Sequence, residues 1–481
     1  MLLRNIEDAR ALLGSLPGTL VGVGVTAFGR VVPSRLVDDY RALVLRRTAD
    51  LSILRRCMEV FCLEEEAGSL LGLDGLNSYS LLAHSRTRSY LKGLPDPKIL
   101  FLYQSYPELE ELAREEGWLL IGNRASLRLR LSSRAFFDNL VLEEGLPGLR
   151  GGIYPFSSLV QQGYGHWANY LGEKFVLQLP EVRQGGGRGT FFIRSEADYR
   201  KVTERLRDGT WRGTTLETIS LHEYREGVSV SLVACVTHSG VLVSGLQRQM
   251  VDLPLPGSVW ENGIFCGHSW GEIEWAPDLQ AEAERQAVLI GRRFGREGYR
   301  GILGIDFLLD HETGRLYPLE VNPRLTGALP MLSLMHLSRG VVPLEVPHLL
   351  EFLGIPYEVE EGLARERYLE PLKGGHLLLF RGSEEEGFRE QPLRAGLYER
   401  DFRSEGFRWE KEAMQFGGAA PHRQFIVIDG PPVGETAPAG SEDPLFRLCR
   451  ILFPVPPVGP DGSLIREAEA AARWVRAGII R

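Results

Sequence analysis

The segment Gly304–Gly327 (GIDFLLDHETGRLYPLEVNPRLTG) constrains the fold of this chain more than any other part of the sequence. Two apolar runs, Ile302–Leu309 and Leu316–Val321, flank a turn that contains Gly314. Apolar runs of this length on either side of a glycine turn are typical of two strands that pair with each other. The sequence therefore predicts a β-hairpin here.

The register of the hairpin follows from the position of its turn. If the pairing is centred near Thr313, Asp306 lies opposite Glu320, and Leu308 lies opposite Pro318. Side chains alternate between the two faces of a strand, so polar residues at two-residue spacing share the face of these carboxylates. The sequence therefore predicts a polar cluster on one face of the hairpin.

The members of this cluster are Asp306, Glu320, Asn322 and Arg324. Two carboxylates on a partly apolar face repel each other and lose hydration, which is costly unless a cation or hydrogen bonds compensate. Magnesium would compensate, because it takes carboxylate and amide oxygens and shares substrate phosphates. Arg324 would then stabilise charge on a transferred phosphoryl group. The alternative is a pair of structural acids, one of them in a salt bridge with Arg324 or Arg315.

A glycine-rich loop connects two predicted strands within Gln178–Ile193 (QLPEVRQGGGRGTFFI). Glycines expose backbone N–H groups to a phosphate with no Cβ in the way, and a neighbouring arginine adds charge. The residues concerned are Gly185, Gly186, Gly187, Arg188 and Gly189. Because the spacing differs from that of a Walker loop, the segment is either a flexible hairpin connection or a mobile flap that closes over a nucleotide.

The first 127 or so residues alternate strands with helices, which favours an α/β unit with a parallel sheet. Thr19–Val25 and Lys98–Tyr103 are predicted strands, and a helical pattern covers roughly Arg35–Ala67. Gly22 and Gly24 miss the dinucleotide-binding spacing, so they predict a plain strand-to-loop turn. After about residue 356 the sequence becomes a mixture of short strands.

Charge and cysteine usage exclude several classes of protein. The net charge of −8 and the pI of about 5.8 argue against binding of nucleic acid through a general basic field. Five cysteines without a repeated CxxC spacing predict neither a zinc knuckle nor a disulfide framework. Glu7 and Asp8 interrupt the first apolar stretch, which argues against a signal peptide, and no uncharged apolar run approaches the roughly 18 residues of a membrane span. We expect a cytoplasmic protein that binds neither nucleic acid nor membrane.

With these pieces in this order, the chain resembles the ATP-grasp superfamily, in its biotin-carboxylase-like branch, over roughly Leu127–Leu350. The most specific part is IDFLLD…YPLEVNPRLTG; a helix that starts at Ser133-Arg134, the glycine loop and the strand His222–Leu232 (HEYREGVSVSL) complete the pattern. The resemblance implies an ATP-grasp fold of the α/β and α+β classes. It implies an N-terminal α/β pre-ATP-grasp domain (1–127), an ATP-grasp domain (128–352, with a lid at about 165–230) and a mostly β C-terminal extension (353–481).

The family clamps ATP between two subdomains and transfers its γ-phosphate to a carboxylate, and an amine then displaces phosphate from the acylphosphate. The residues implied to bind Mg2+, with Mn2+ as a second candidate, are Asp306, Glu320 and Asn322. Arg324 is implied to contact phosphates or the acylphosphate, and the glycine loop to cover the phosphates. The residues implied to give backbone contacts to adenine are Glu223, Tyr224 and Arg225.

Three positions depart from the family pattern. The lysine before the glycine loop aligns with Gln178 and the earlier phosphate lysine with Arg134; glutamine supplies only a dipole, and arginine supplies charge without compactness. The ribose-binding acid falls near Ser229, and Glu226 lies close enough to replace it. Lys174, four residues before Gln178, would sit on the same strand face and compensate. Because the metal-binding set is complete, the chain is interpreted as a divergent member of the family.

The resemblance implies an ATP-dependent ligase that joins small-molecule carboxylate and amine substrates, amino acids or peptides among them. Arg248 either holds a substrate carboxylate by bidentate pairing or forms a surface ion pair. His268 and the segment Leu325–Leu334 are candidates to line the acceptor pocket, although a buried structural histidine is the simpler interpretation of His268. The alternatives are a bicarbonate-dependent carboxylase and a catalytically silent ATP-binding regulatory protein. The identity of the substrates and the oligomeric state stay open.

Overall fold

The computed structural model of the chain describes residues 1–70, 73, 75–180, 189–255, 263–381, 387–391, 393–401, 406–417, 422–433 and 446–480. Within these ranges the chain forms one parallel sheet, two small antiparallel sheets and one large antiparallel sheet, with helices packed on them. The predicted combination of α/β and α+β folds is confirmed. None of the described helices is both long enough and apolar enough to cross a membrane.

The N-terminal part carries a parallel sheet whose described strands are, in sheet order, Glu59–Cys62, Arg41–Val44, Thr19–Gly24, Lys98–Phe101 and Leu119–Ile121. The helices around it are Ile6–Leu13, Leu51–Leu54, Leu63–Ala67, Ser78–Ala83, Ser85–Lys92, Pro107–Glu116 and Ala125–Leu131, with 3-10 turns at Phe28–Arg30 and Val32–Arg35. The helical pattern predicted over Arg35–Ala67 is wrong, because two of these strands lie within it. Short, fully buried apolar runs do not reveal by periodicity alone whether they are strand or helix.

A small antiparallel sheet follows, in the order Gly151–Pro155, Thr218–Glu223, Phe175–Gln178 and Thr190–Ile193. A two-stranded hairpin, Thr210–Trp211 with Thr214–Thr215, lies in the same part of the chain. The helices of this part are Arg134–Glu143, Ser158–Leu171 and Glu196–Arg205. The sheet has a core of its own, in which Trp167, Phe175 and Tyr199 are buried.

The large antiparallel sheet contains the predicted hairpin at one edge. Its order is Leu316–Asn322, Gly301–Asp310, Gly227–Val236, Gln247–Val251, Phe265–Trp270, Gly374–Phe380, Arg447–Phe453, Gln424–Ile428, Gly396–Asp401 and Gly406–Lys411, with Val241–Val243 beside Gly227–Val236. Its helices are Pro277–Arg296, Leu329–Ser338, Glu345–Leu353, Glu361–Leu369 and Arg466–Ile479. The strands after residue 356 therefore extend the sheet that holds the hairpin.

The helix Pro277–Arg296 supports the hairpin from behind. Ala283, Ala287, Ile290 and Phe294 recur at helical spacing and are fully buried, so one apolar face packs against the sheet. Gln286 on the same helix donates a hydrogen bond of 3.0 Å from Nε2 to the carbonyl of Leu316. This contact fixes the start of the second hairpin strand.

Candidate active site

The hairpin brings the two predicted carboxylates together. Its strands pair antiparallel with Asp306 opposite Glu320, as predicted, and with Gly304 opposite Asn322. Asp306 is half-buried, and Glu320 is accessible to solvent. The polar cluster therefore lies on the open side of the sheet edge.

The predicted register is wrong nearer the turn. Leu308 pairs with Tyr317 instead of Pro318, and a β-bulge between Asp306 and Phe307 restores the predicted carboxylate pair. Pro318 stands opposite Phe307 at the bulge. Proline has no N–H to donate to the ladder, so bulges are among the places where it is tolerated within a sheet.

The two carboxylates are electrostatically strained. Desolvation raises the pKa of Asp306 to about 7, and repulsion by Glu320 adds to the rise. Protein atoms crowded around Glu320 raise its pKa as well, although Arg324 and Arg134 oppose the effect. Each carboxylate is therefore held in a setting that disfavours its charged form, as expected for two acids that share a cation.

Hydrogen bonds orient Asp306. Asn322 Nδ2 donates to its Oδ2 at 3.0 Å, and Gln249 Nε2 donates to its Oδ1 at 2.7 Å. Neither Asp306 nor Glu320 forms an ion pair with a described residue, which contradicts the alternative of a salt-bridged structural acid. Within the described ranges, no group of three or more His, Cys, Asp or Glu residues could hold a metal ion. The candidate metal set is therefore two carboxylates and one amide.

Arg324 is held at the end of the hairpin by the N-terminal part of the chain. Its Nη2 donates to Asn322 Oδ1 at 2.8 Å, and its Nη1 donates to the hydroxyl of Tyr103. The Arg324 guanidinium carbon lies 5.2 Å from the centroid of the Tyr103 ring. The backbone N–H of Leu325 also donates to the Tyr103 carbonyl, at 3.3 Å.

Tyr103 and Gln249 are site residues whose roles the sequence did not reveal. Tyr103 follows the strand Lys98–Phe101 at its carboxyl end, where ligands of parallel sheets are commonly bound. This position at the end of a predicted strand is the one sequence feature that could have indicated a functional role for Tyr103. Gln249 lies in a short polar run with Gln247 and Arg248, and this run does not indicate which of the three contacts Asp306.

Arg134 approaches the hairpin from the start of its helix, where Ser133 Oγ accepts a hydrogen bond as the N-cap. Its guanidinium contacts the Leu319 carbonyl at 3.2 Å, Asp138 at 2.8 Å and His222 Nε2 at 2.9 Å. Desolvation and the charge of Arg134 lower the pKa of His222 to about 3, so the histidine is neutral and accepts this hydrogen bond. Arg134 thus lies near Glu320, whose charge acts on it.

The structure does not support the predicted compensation for Gln178 by Lys174 on the same strand face, because Lys174 lies before that strand. Gln178 lies in the small sheet, where its Nε2 is 3.5 Å from Thr190 Oγ1. Lys174 precedes that strand, and its Nζ forms an ion pair of 3.0 Å with Glu226. Lys174 and Glu226 therefore form an exposed ion pair with each other.

Two of the residues implied to contact adenine, Glu223 and Arg225, belong to an ion-pair network. The Glu223 carboxylate contacts Arg150 at 3.0 Å and Arg225 at 3.2 Å, and Arg225 also pairs with Asp310 at 3.2 Å. The backbone N–H groups of Glu223 and Tyr224 already donate to protein carbonyls. Adenine contacts in this segment would therefore use its other backbone groups.

Most of the glycine loop, including Gly185, Gly186, Gly187 and Arg188, lies outside the described residues. Gly189 is described, has a φ of 87° and accepts a hydrogen bond of 3.0 Å from the Leu179 N–H.

Arg248 lies in the interior, so the predicted surface ion pair is wrong. Its Nε is 3.2 Å from Glu272 Oε1, and the two side chains are 7% and 1% exposed. Its Nη2 donates to the Pro460 carbonyl at 2.8 Å. His268 is also buried, with Nδ1 3.2 Å from His376 Nε2, which agrees with its interpretation as a structural histidine.

Comparison with known proteins agrees with this geometry. Residues 183–328 match the ATP-grasp domain family. This range lies within the region that resembles the ATP-grasp superfamily in sequence, so the resemblance is confirmed. A curated relative, the [butirosin acyl-carrier protein]–L-glutamate ligase of Niallia circulans, is 25% identical over 243 residues. The match covers 50% of this chain and 51% of that ligase, so the chain spans about half the length of this relative.

Solved structures share the fold over most of the chain. One of them is the biotin carboxylase domain of 2-oxoglutarate carboxylase from Hydrogenobacter thermophilus, solved with MgADP, ADP and bicarbonate. Its TM-score is 0.58 at 14% sequence identity, and the match covers 92% of this chain and 87% of that one. Phosphoribosylamine–glycine ligase from Thermotoga maritima has a TM-score of 0.55 and 14% identity, covering 96% and 97%. These likenesses confirm the ATP-grasp fold.

Proposed function

We propose that this protein is an ATP-dependent carboxylate–amine ligase that forms an amide or peptide bond through an acylphosphate and releases ADP and phosphate. The observation that carries the proposal is the Asp306–Glu320 pair next to Arg324, on a hairpin of the ATP-grasp domain. The names of the similar ligases support C–N bond formation, and the L-glutamate ligase supports an amino acid as one substrate.

Asp306, Glu320 and Asn322 fit a divalent cation. Two carboxylates with raised pKa values lie opposite each other, and a cation would favour their charged forms. Carboxylate and amide oxygens suit Mg2+, with Mn2+ as a second candidate. When bound, the ion would neutralise charge on the phosphates of ATP.

The side chains of the chain itself would orient the reacting groups. Arg324, fixed by Tyr103 and Asn322, would hold the phosphoryl group or the acylphosphate in place and stabilise its negative charge. Arg134 would supply the charge that a phosphate lysine gives in the family. Glu223, Tyr224 and Arg225 would border the adenine, with the glycine loop over the phosphates.

We further propose the division into an N-terminal domain (1–127), an ATP-grasp domain (128–352) with a lid at about 165–230, and a C-terminal extension (353–481). One core that is confined to residues of the N-terminal sheet and its helices supports the first domain, and the core of the small sheet supports the lid. A cytoplasmic location is proposed on the sequence features given above.

The test is ADP release by purified protein with MgATP, screened against amino acids, dipeptides and small carboxylates in pairs, with mass spectrometry of the products. Release that needs both a carboxylate and an amine, with a product of the condensed mass, supports the ligase. Release that needs bicarbonate and biotin would identify a carboxylase instead. Tight ATP binding without turnover under every condition would identify a regulatory protein.

A further inference from the structure

Arg30 is a buried cation whose guanidinium has no hydrogen-bonding partner among the described residues. It ends the short turn Phe28–Arg30, is only 6% exposed, and its guanidinium forms no hydrogen bond or ion pair with any described residue. Its guanidinium carbon lies 5.6 Å from the Phe101 ring and 5.9 Å from the Tyr103 ring. Aromatic faces attract a cation weakly, whereas a buried charge normally has a charged or hydrogen-bonding partner.

The first strand makes room for this side chain through its glycines. A Cβ on Gly24 would lie 3.3 Å from Arg30 Nε, and one on Gly22 would lie 3.1 Å from Arg30 Cβ and 1.9 Å from the Tyr40 hydroxyl. The Tyr40 hydroxyl and Arg30 Nε are both enclosed and unpaired among the described residues. Two unpaired polar groups therefore lie against the first strand, in space that the side chain of any other residue at Gly22 or Gly24 would occupy.

The nearest carboxylates are committed elsewhere. Glu345 accepts a hydrogen bond of 2.6 Å from Ser333, and Asp429 pairs with Arg447 at 3.0 Å and with Arg450 at 3.5 Å. Both affect Arg30 only through space. The charge of Arg30 thus lacks a direct counter-ion within the described part of the chain.

Arg30 adjoins the candidate active site through Tyr103. The Tyr103 ring lies near both Arg30 and Arg324, and its hydroxyl accepts the hydrogen bond from Arg324. The helix Leu329–Ser338, which begins within the predicted acceptor-pocket segment, packs on the turn Phe28–Arg30. Arg30 is therefore one aromatic ring away from the residue proposed to hold the acylphosphate.

We propose that Arg30, with the Tyr40 hydroxyl, binds a carboxylate of one substrate, a carboxylate that is not consumed in the new bond. The proposal rests on the ligase function and narrows its substrates to amino acids or dicarboxylic acids. A guanidinium presents two parallel N–H groups that match a carboxylate, and a hydroxyl adds a third donor. Binding would give the buried guanidinium a partner that the described part of the chain does not supply.

The test measures binding, so it does not depend on turnover. Wild-type protein with saturating MgADP is titrated by calorimetry with the twenty amino acids, the C3–C6 dicarboxylic acids and their amide counterparts. We expect at least one acid to bind about 30-fold or more tightly than its amide. Arg30→Met should abolish that preference and leave ADP affinity within about threefold, since Arg30 touches no nucleotide residue. Arg114→Met, at an exposed arginine, is the matched control and should behave as wild type.

Tyr40→Phe provides a second variant in case Arg30→Met folds poorly. It removes an unpaired hydroxyl and keeps the ring. The unfolding free energy should therefore stay close to that of wild type, while the preference for the acid over its amide falls. A structural role of Arg30 predicts lower stability of Arg30→Met with the preference intact in both variants, and that result would overturn the proposal. Wild-type protein that binds none of the acids, or binds acid and amide alike, would overturn it as well. If the acid binds but the assay with MgATP shows no ADP release, only the proposed ligase function is refuted.

Discussion

The carboxylates of Asp306 and Glu320 lie opposite each other on paired strands, and desolvation raises the pKa of both. We predict that Asp306→Asn and Glu320→Gln each lower the rate of ADP release by about 100-fold or more, because a ligand of the phosphate-bound cation is lost. The unfolding free energy without metal should stay the same or rise, because one of two repelling charges is gone. Urea unfolding and steady-state ADP release check both parts.

Glu312→Gln is the matched control for this pair. Glu312 lies exposed in the turn of the same hairpin, so its charge can be removed without touching the cluster. Its turnover should equal that of wild type. Normal ADP release by both Asp306→Asn and Glu320→Gln would refute the assignment of the metal.

The contacts that could be predicted at this scale are local ones. Asp306 and Glu320 are joined by a short turn, so strand alternation was sufficient to pair them. The partners Gln249 and Tyr103 lie 57 and 221 residues from the groups they bind, Asp306 and Arg324. Only the folded arrangement of separate sheets brings such residues together, and no local pattern encodes it.

At the scale of elements, sequence patterns predicted long amphipathic pieces better than short buried ones. The apolar stripe of the sequence predicts a long amphipathic helix over about Leu279–Glu297, and the structure has this helix at Pro277–Arg296, with a proline at its start. The strands Arg41–Val44 and Glu59–Cys62 are almost uniformly buried, so they lack the alternation that separates strand from helix. The bulge between Asp306 and Phe307 lies where Pro318 stands opposite Phe307, and strand alternation alone does not predict it.

The helices Leu329–Ser338 and Glu345–Leu353 are linked by a buried hydrogen bond from Ser333 Oγ to Glu345 Oε2, 2.6 Å long. Burial raises the pKa of Glu345 to about 7. In the unfolded chain the same carboxyl ionises near pH 4.3, so between these values the unfolded state releases a proton that the folded state keeps. The stabilising contribution of Glu345 is therefore complete below about pH 4 and is lost as the pH rises towards 7.

We predict that Glu345→Gln, which keeps the acceptor without the charge, shows this as a pH-dependent difference from wild type. The unfolding free energy of wild type minus that of the variant should fall by about 3 kcal/mol between pH 4 and pH 8. Urea unfolding at several pH values measures it. A difference that stays constant over this range would mean that Glu345 titrates alike in both states.

At the scale of the whole molecule, Asp429 connects the two ends of the chain. Its backbone N–H donates to Asp50 at 2.8 Å, and its carboxylate accepts a hydrogen bond from Thr26, both in the N-terminal part. The same carboxylate pairs with Arg447 and Arg450 on the C-terminal strand Arg447–Phe453. This buried acid thus joins the N-terminal sheet to the strands that extend the large sheet.

We predict that Asp429→Asn lowers the unfolding free energy by about 3 kcal/mol, because it leaves Arg447 and the buried Arg450 without their counter-charge. Asparagine tolerates the positive φ of 58° at this position, so backbone strain does not account for the loss. Asp39→Asn, at an exposed aspartate, should change the unfolding free energy by no more than about 0.5 kcal/mol. Equal urea midpoints for Asp429→Asn and wild type would show that the negative charge of Asp429 does not stabilise the contact between the N-terminal and C-terminal parts.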